Sequence, residues 1–477
     1  MFEKSNYYFT FPAKLEDRLD FRFHHPFFEE ALAFIEQNGV VLYPKLVPFV
    51  YNGSTPSKLP SEEVPHSDKV LFIKNENVKR LLLDLENKAY ISCSDYEAIG
   101  EEMRIKKDDI LFSMTGTLGN ACLVSEEIEA AINQNIVILR CNLAELVPTY
   151  AVRFLNSEFI ELQVMKNYTS AQTPYLNVSK IKRLKIIKPS VQIQRKIAED
   201  IMELESQASE LDQQAEELIS KAEETFLKNI GIIARINLQN ISFYTKFDNP
   251  SDRLDFIYNN PKYNVVDELI SRATVEFADL SSVVDFLQDK RNPLEQPSEE
   301  FAYVNIGNID TKWGILNPTT MIGKDAESSR IRKVMYAGTI LVSTTRPTRN
   351  AIGIVPEDLD SQICSTGLAV LRCKPNINGR YLFHALRTYL TRFQLERFCS
   401  GSGYPAINQE IDLPKIRIPL PSSLDRQCSI VKEVESILNE AKKRRKKSQG
   451  ILQEALRQFT QKLLENYHRD STFEAAP

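Results

Sequence analysis

Residues Val191 to Lys228 read VQIQRKIAEDIMELESQASELDQQAEELISKAEETFLK, a stretch with neither proline nor glycine. Within it Ile197, Ile201, Leu204, Ala208, Leu211, Ala215, Leu218, Ala222 and Thr225 follow alternating steps of four and three. That period keeps apolar side chains turned toward one partner, so the stretch reads as a helix paired with another helix. At 1.5 Å per residue, about 38 residues make a rod on the order of 55 Å long, enough to hold two domains apart.

The same chain offers the partner. From Leu424 to about Tyr467, Ile430, Val434, Ile437 and Ala441 keep the rhythm, Arg444 and Ser448 occupy the next seam positions, and Ile451, Ala455 and Phe459 resume it. The first helix carries Glu199, Asp200, Glu203, Glu205, Glu210, Asp212, Glu216, Glu217, Glu223 and Glu224 against Arg195, Lys196, Lys221 and Lys228, whereas the second carries the unbroken basic block Lys442 to Lys447. Opposite signs on facing helices favour this pairing over self-association. An antiparallel pair places what precedes each helix at opposite ends, related by a pseudo-twofold axis.

What precedes each helix is one module written twice. Asp17-Arg18-Leu19-Asp20-Phe21 with Pro26 recurs as Asp252-Arg253-Leu254-Asp255-Phe256 with Pro261. Ile110-Leu111-Phe112-Ser113 with Asn120-Ala121 matches Ile340-Leu341-Val342-Ser343 with Asn350-Ala351, and Leu139-Arg140-Cys141 matches Leu371-Arg372-Cys373. Pro174-Tyr175-Leu176-Asn177 then answers Pro405-Ala406-Ile407-Asn408, and Leu184-Lys185-Ile186 with Pro189-Ser190 answers Ile416-Arg417-Ile418 with Pro421-Ser422. A repeat of this length means one architectural unit used twice.

The expected organisation is a first domain over 1–189, its helix over 190–229, a connector over 230–250, a second domain over 251–421, its helix over 422–467 and a tail over 468–477. The connector contains Gly231, Asn237, Asn240 and Asn249-Pro250, residues that end helices. Short apolar runs at Val70 to Ile73, Ala302 to Ile306, Thr339 to Ser343 and Leu368 to Leu371 predict strands, while Tyr150 to Met165 and Gly379 to Phe398 have helical spacing. The fold class is therefore α+β.

The 477 residues, 43% hydrophobic and 26% charged, describe a globular protein with ample core. No apolar run approaches the roughly 18 residues of a membrane span. The segment Met1 to Asp20 alternates aromatic and charged residues and does not read as a signal peptide, so a cytoplasmic location is expected. Seven cysteines without a CxxC pair point away from a zinc site or a disulfide framework. The net charge of -5 means that affinity for phosphate has to come from local clusters of Lys and Arg.

Catalytic motifs are lacking. Asn260-Pro261-Lys262-Tyr263 has one proline where an adenine-N6 methyltransferase carries Pro-Pro-aromatic, there is no G-x-x-x-x-G-K-[ST] phosphate loop, and only five histidines are present. Enzymatic activity is expected on other chains.

A globular domain followed by a long helix, then the same again, resembles the specificity subunits of type I restriction-modification enzymes. The likeness runs from Asp17 to about Tyr467. It rests on YVNIGNID (Tyr303 to Asp310), DDILFSMTGTLGNACLV (Asp108 to Val124) with its counterpart GTILVSTTRPTRNAIGIV (Gly338 to Val355), and the Pro-Ser step into each helix. In the first module FIKNENV (Phe72 to Val78) matches the strand motif loosely, and Val40 to Lys69 has no evident equivalent in the second.

The resemblance implies two target recognition domains, double-stranded DNA as ligand and a bipartite target. It also implies two methyltransferase subunits that flip an adenine in each half-site, and motor-nuclease subunits for cleavage. S-adenosylmethionine, ATP and Mg are then expected on those partners, with no cofactor on this chain and no membrane association.

Loops that follow strands are where base-reading residues belong. Thr345, Arg346, Arg349 and Asn350 offer two guanidinium groups suited to guanine or phosphate, a hydroxyl and an amide suited to adenine. The matching loop has Ser113, Thr115, Thr117 and Asn120, with Gly116 and Gly119 permitting close backbone approach. Ordinary hairpin turns are the bland alternative. Ser170, Gln172 and Tyr175 in one module, and Ser402 and Tyr404 in the other, suit either a loop beneath a phosphate backbone or an exposed connector. Lys290 and Arg291 form a third basic site or a solvated turn. The Lys442 to Lys447 block either faces DNA between half-sites or is a solvated face, and His24-His25 reads as a turn, since the second copy has Asn259-Asn260 there. A different class of function, a scaffold whose duplicated domains bind proteins around a coiled-coil core, is the alternative reading.

Overall fold

Apolar runs bounded by turn formers become short strands, and each repeat builds from them a matching four-stranded antiparallel sheet and a second mixed sheet, three-stranded in the first module and four-stranded in the second. The computed structural model describes residues 26–54, 68–85, 88–116, 118–167, 175–232, 258–260, 263–401 and 405–469. The DRLDF repeats and His24-His25 lie outside that set. The chain divides into two units, 1–210 with 447–477 and 211–446, so each unit combines one module with half of each long helix.

In the first unit an antiparallel four-stranded sheet runs in the order Phe49–Asn52, Ile136–Arg140, Ile110–Ser113, Ala121–Leu123. A smaller sheet sets Val70–Ile73 between Ala89–Ile91, antiparallel, and Ala130–Ile132, parallel. The second unit repeats the first sheet as Val284–Leu287, Leu368–Cys373, Ile340–Ser343, Ile352–Ile354. Its other sheet runs Thr319–Ile322, Glu300–Val304, Ile363–Ser365, Ile331–Val334.

The strands Ile110–Ser113 and Ile340–Ser343 are buried along their whole length. Ile110 and Phe112 enter a core shared with the helices, and Leu111 enters a second core shared with the smaller sheet. Ile340 and Val342 divide from Leu341 in the same way. A strand covered on both faces has no polar side to alternate with, which is why these read as unbroken apolar runs.

A two-stranded ribbon pairs Val40–Val41 with Lys185–Ile186, and another pairs Glu276–Asp279 with Arg417–Leu420. With Phe49–Asn52 in the place of Val284–Leu287, the stretch from Val40 to Asn52 does have an equivalent in the second module. The likeness is carried by backbone pairing, which leaves no trace in side-chain identity.

Each segment with helical spacing is two helices. Pro148–Leu155 stops before Glu158–Asn167, and Gly379–Arg387 before Tyr389–Phe398. At the first break the buried Asn156 accepts from the Ala121 amide (3.2 Å) and donates to the Ala121 carbonyl (2.8 Å), turning its side chain away from helix continuation. At the second, Thr388 adopts an extended backbone and its hydroxyl caps the Thr391 amide.

The long helices span Val191–Asn229 and Leu424–Arg469. In the first unit Ile197, Ile201, Ala455, Phe459 and Leu463 are buried together, and the Tyr150 and Phe459 rings lie 5.5 Å apart. Lys462 pairs with Asp200 across the helices. In the second unit Arg444 donates to Gln214 (2.6 Å) and Arg445 to Glu216 (2.6 Å), while near the other end Arg426 donates to Asn229 (2.9 Å). Numbers rise along one helix as they fall along the other, so the pairing is antiparallel. Of the first seam Ile197, Ile201, Ala208, Ala215 and Ala222 are buried and Leu204, Leu211, Leu218 and Thr225 half-buried; at the end of that helix Phe226 and Leu227 are buried as well, because there it meets the second module's core.

Candidate nucleic-acid interface

The loop between Ile340–Ser343 and Ile352–Ile354 is built on buried polar contacts. Ser343 donates its hydroxyl to the Thr345 carbonyl (2.7 Å), and Thr344 donates to the Gly367 carbonyl (2.9 Å). Thr345 bridges Ala406, and the Arg346 amide donates to the Pro405 carbonyl (2.6 Å). Arg346 and Asn350 both take left-handed backbone conformations, φ 49° and 60°, on either side of the single turn Pro347–Arg349. Thr348 and Arg349 are exposed, and among the described residues the Arg349 guanidinium has no ion-pair or hydrogen-bond partner.

Three residues the sequence did not single out support this loop. Arg387 donates to the carbonyls of Ile352 (3.1 Å) and Asn350 (3.4 Å). Its burial lowers its pKa to about 10. Lys333 is buried and donates to the Leu368 carbonyl (3.0 Å) and to Gln409 (2.9 Å), and Gln409 in turn donates to the Thr344 hydroxyl (3.3 Å) and the Thr366 carbonyl (3.0 Å). Burial pushes the Lys333 pKa down, the nearby Cys364 works against that, and the Lys290 charge adds to it.

In the first module Ser113 is fully buried, so its hydroxyl shapes the loop from beneath instead of facing solvent. It donates to Asn75 (2.7 Å) and to the Thr115 carbonyl (2.9 Å), and Asn75 donates to that carbonyl as well (2.6 Å). Gly116 and Gly119 both have positive φ, 66° and 87°, which L side chains adopt only with strain. Asn120 is partly exposed, and its amide donates weakly to the Val78 carbonyl (3.4 Å).

In each module the hairpin loop meets a described residue of the segment that precedes the long helix. Thr115 bridges the exposed Tyr175, as Thr345 bridges Ala406, so the hairpin loop and the segment leading into the helix lie side by side. Thr117, Ser170, Gln172, Ser402 and Tyr404 lie outside the described residues. Lys290 and Arg291 sit apart from the loop's own strands: Lys290 bridges Lys333, the Arg291 amide donates to the Arg332 carbonyl (2.8 Å), and Asn292 caps the turn Pro293–Glu295. Lys290 is exposed.

The basic block divides. Arg444 and Arg445 turn to the first long helix, and the Lys442 ammonium lies 5.4 Å from the centre of the Trp313 ring. Lys443, Lys446 and Lys447 are exposed. Among the described residues no helix is long and apolar enough to cross a membrane.

The asparagines of YVNIGNID have a local task. Asn305 and Asn308 bond reciprocally to each other's backbone amides (2.9 and 3.2 Å), and Asn77 makes the corresponding bond to Lys74 (2.8 Å). Asn at that spacing was the available signal for a capped turn. Lys333, Arg387 and Gln409 left none, because only the fold shows which cations and amides are buried, as Lys333 is, or half-buried, as Arg387 and Gln409 are.

Residues 52–221 and 276–450 match the family described as type I restriction modification DNA specificity domain. The chain is similar at 15% identity to the HsdS subunit from Thermoanaerobacter tengcongensis, over 83% of this chain and 89% of that one, with a TM-score of 0.31. It is similar, also at 15% identity, to the type I restriction-modification S subunit from M. genitalium, over 89% and 95%, with a TM-score of 0.37. A chain from a structure of type I restriction-modification complex assembly and conformational transition matches at 15% identity over 88% and 99%, with a TM-score of 0.37. No curated protein matches.

Proposed function

Because the chain belongs to the type I restriction modification DNA specificity family, we propose that each module reads one half of a split DNA target and that the paired helices set the number of unread base pairs between the halves. The observation that carries this is the duplicated loop. In both modules the end of a fully buried strand projects a turn braced from beneath and flanked by the segment that enters the long helix. A rigid support beneath a few outward side chains suits recognition, because base-edge hydrogen bonds discriminate only when their geometry is held.

In this reading Arg346, Arg349, Asn350, Thr345, Thr115, Asn120 and Tyr175 face DNA, and Lys290 and Arg291 add phosphate attraction. Two methyltransferase subunits act on an adenine in each half-site, and motor-nuclease subunits join for cleavage. S-adenosylmethionine, ATP and Mg bind those partners, and the complex works in the cytoplasm.

Methylation-sensitive sequencing of DNA from cells with and without this chain tests the proposal. A two-part motif that vanishes with the chain is the expected result. Exchanging residues 251–421 for the corresponding domain of another family member changes one half of the motif and leaves the other. An unchanged motif after that exchange refutes the reading.

A further inference from the structure

The turn Asp310 to Gly314 links the second module's reading loop to the long helices. Its shape is set by Asp310, whose carboxylate accepts from the amides of Lys312 and Trp313 (both 2.8 Å) and whose carbonyl accepts from the Gly314 amide (2.8 Å). Outward from the turn, Lys312 pairs with Glu216 of the first long helix, and Glu216 also accepts from Arg445 of the second (2.6 Å). Trp313 lies under the Lys442 ammonium, within cation–π range. Inward, Arg387 donates to the carbonyls of Thr311 (2.9 Å) and Lys312 (2.6 Å) with the same guanidinium that holds Ile352 and Asn350. One side chain therefore connects a turn gripped by both helices to the last residue of the contact loop.

Among the described residues the first module shows no counterpart of this device. Val78 bridges Leu83 with only 79–82 between them, whereas Ile309 bridges Leu316 with 310–315 between them. The residues that reach the helices lie in that longer turn. In the shorter one Arg80 pairs with Glu161 of its own module (3.3 Å), and among the described residues no ion pair joins 79–82 to a long helix.

We propose that the Asp310 to Gly314 turn, through Lys312 and Trp313 on Glu216 and Lys442, is a positioning clamp that fixes the second reading loop on its helix segment and so governs how strictly half-site spacing is enforced. The proposal rests on the bipartite reading above. Lys312, Trp313 and Glu216 are positioning residues, since none of them lies in the contact loop.

The test compares cells carrying the complete complex with the wild-type chain, with K312A/W313A, and with E216Q, which alters only the helix side. Genomic methylation is read by methylation-sensitive sequencing. The variants should keep both half-site sequences but methylate sites whose spacer is one base pair longer or shorter about tenfold more than wild type does, the change expected from losing on the order of 1.4 kcal/mol of orientational hold. Unchanged spacing strictness in both variants overturns the clamp. If K312A/W313A abolishes methylation, anisotropy of the purified complex on a duplex carrying only the second half-site decides. Wild-type affinity there supports a positioning role, and lost affinity overturns it. A wild-type motif that is contiguous rather than split overturns the bipartite reading itself, and is recognised before any variant is made.

Discussion

Gln163 and Gln394 make the same pair of backbone bonds in their separate modules. Each is buried on the second of two consecutive helices. Gln163 accepts from the Lys185 amide (2.8 Å) and donates to the Lys185 carbonyl (2.9 Å), and Gln394 does so with Arg417 (2.8 and 3.0 Å). Lys185 and Arg417 lie on the last strand before each long helix, so a single amide ties the second of the two helices to the strand that leads into the rod.

Q163L and Q394L should each lower the stability of their own unit by about 2 kcal/mol, because a buried amide and carbonyl lose their partners together. Q207L, at an exposed position, serves as control and should stay within about 0.5 kcal/mol of wild type. Thermal unfolding of the three variants provides the comparison.

R349A, and more strongly R346A/R349A, should weaken binding to the cognate duplex by a factor on the order of ten to a hundred, the range for loss of a base-edge arginine contact. Fluorescence anisotropy at one fixed salt concentration reads this. Unchanged affinity in the double variant favours the scaffold alternative over a DNA reader.

Lys333 ties stability to pH. Its folded-state pKa lies below that of an unfolded lysine, chiefly through burial. Between those two values the unfolded chain holds a proton that the folded chain has released, so stability rises with pH across that alkaline window. K333M should abolish the rise. Urea midpoints collected as a pH series report it, and identical slopes for wild type and K333M would refute the assignment.

Gly314 and Gly338 both have positive φ, 69° and 75°, but their surroundings differ. A Cβ at Gly314 would meet the Phe383 ring at 2.6 Å and the Ile352 carbonyl at 2.8 Å, while one at Gly338 meets nothing within 4 Å. G338A should therefore cost only backbone strain, about 1 kcal/mol, and G314A about 1–3 kcal/mol more from the clash. Equal melting temperatures for the two variants would contradict this.

Much of the architecture was legible because it is written in periods. In the seven-residue seam Ile197, Ile201, Ala208, Ala215 and Ala222, and Ile430, Val434, Ala441, Ala455 and Phe459, are buried, with half-buried residues such as Leu204, Leu211, Leu218 and Ile437 between them, and the acid–base contrast between the helices survives as Asp200 with Lys462 and Glu216 with Arg445. The buried strands at Ile110 and Ile340 were readable as continuous apolar runs. The helix break at Asn156 was not, since apolar spacing continues through it and contacts to the distant Ala121 backbone turn the chain, while the break at Thr388 left only a capping threonine as its signal. Within the contact loops Arg349 and Tyr175 are exposed, whereas Ser113 lies beneath the surface. Strand alternation predicts which face a residue takes, but not that a second sheet covers that face.

By itself the sequence determined a duplicated α+β module, two long helices able to pair, and the family likeness, because repeats and heptads are local patterns that need no partner to be visible. Only the tertiary structure decided which polar groups are buried. Lys333 is buried and Arg387 and Gln409 are half-buried, although all three are residue types usual on surfaces. A cation or amide without water has to find carbonyls, and the carbonyls within reach are those that shape the reading loop.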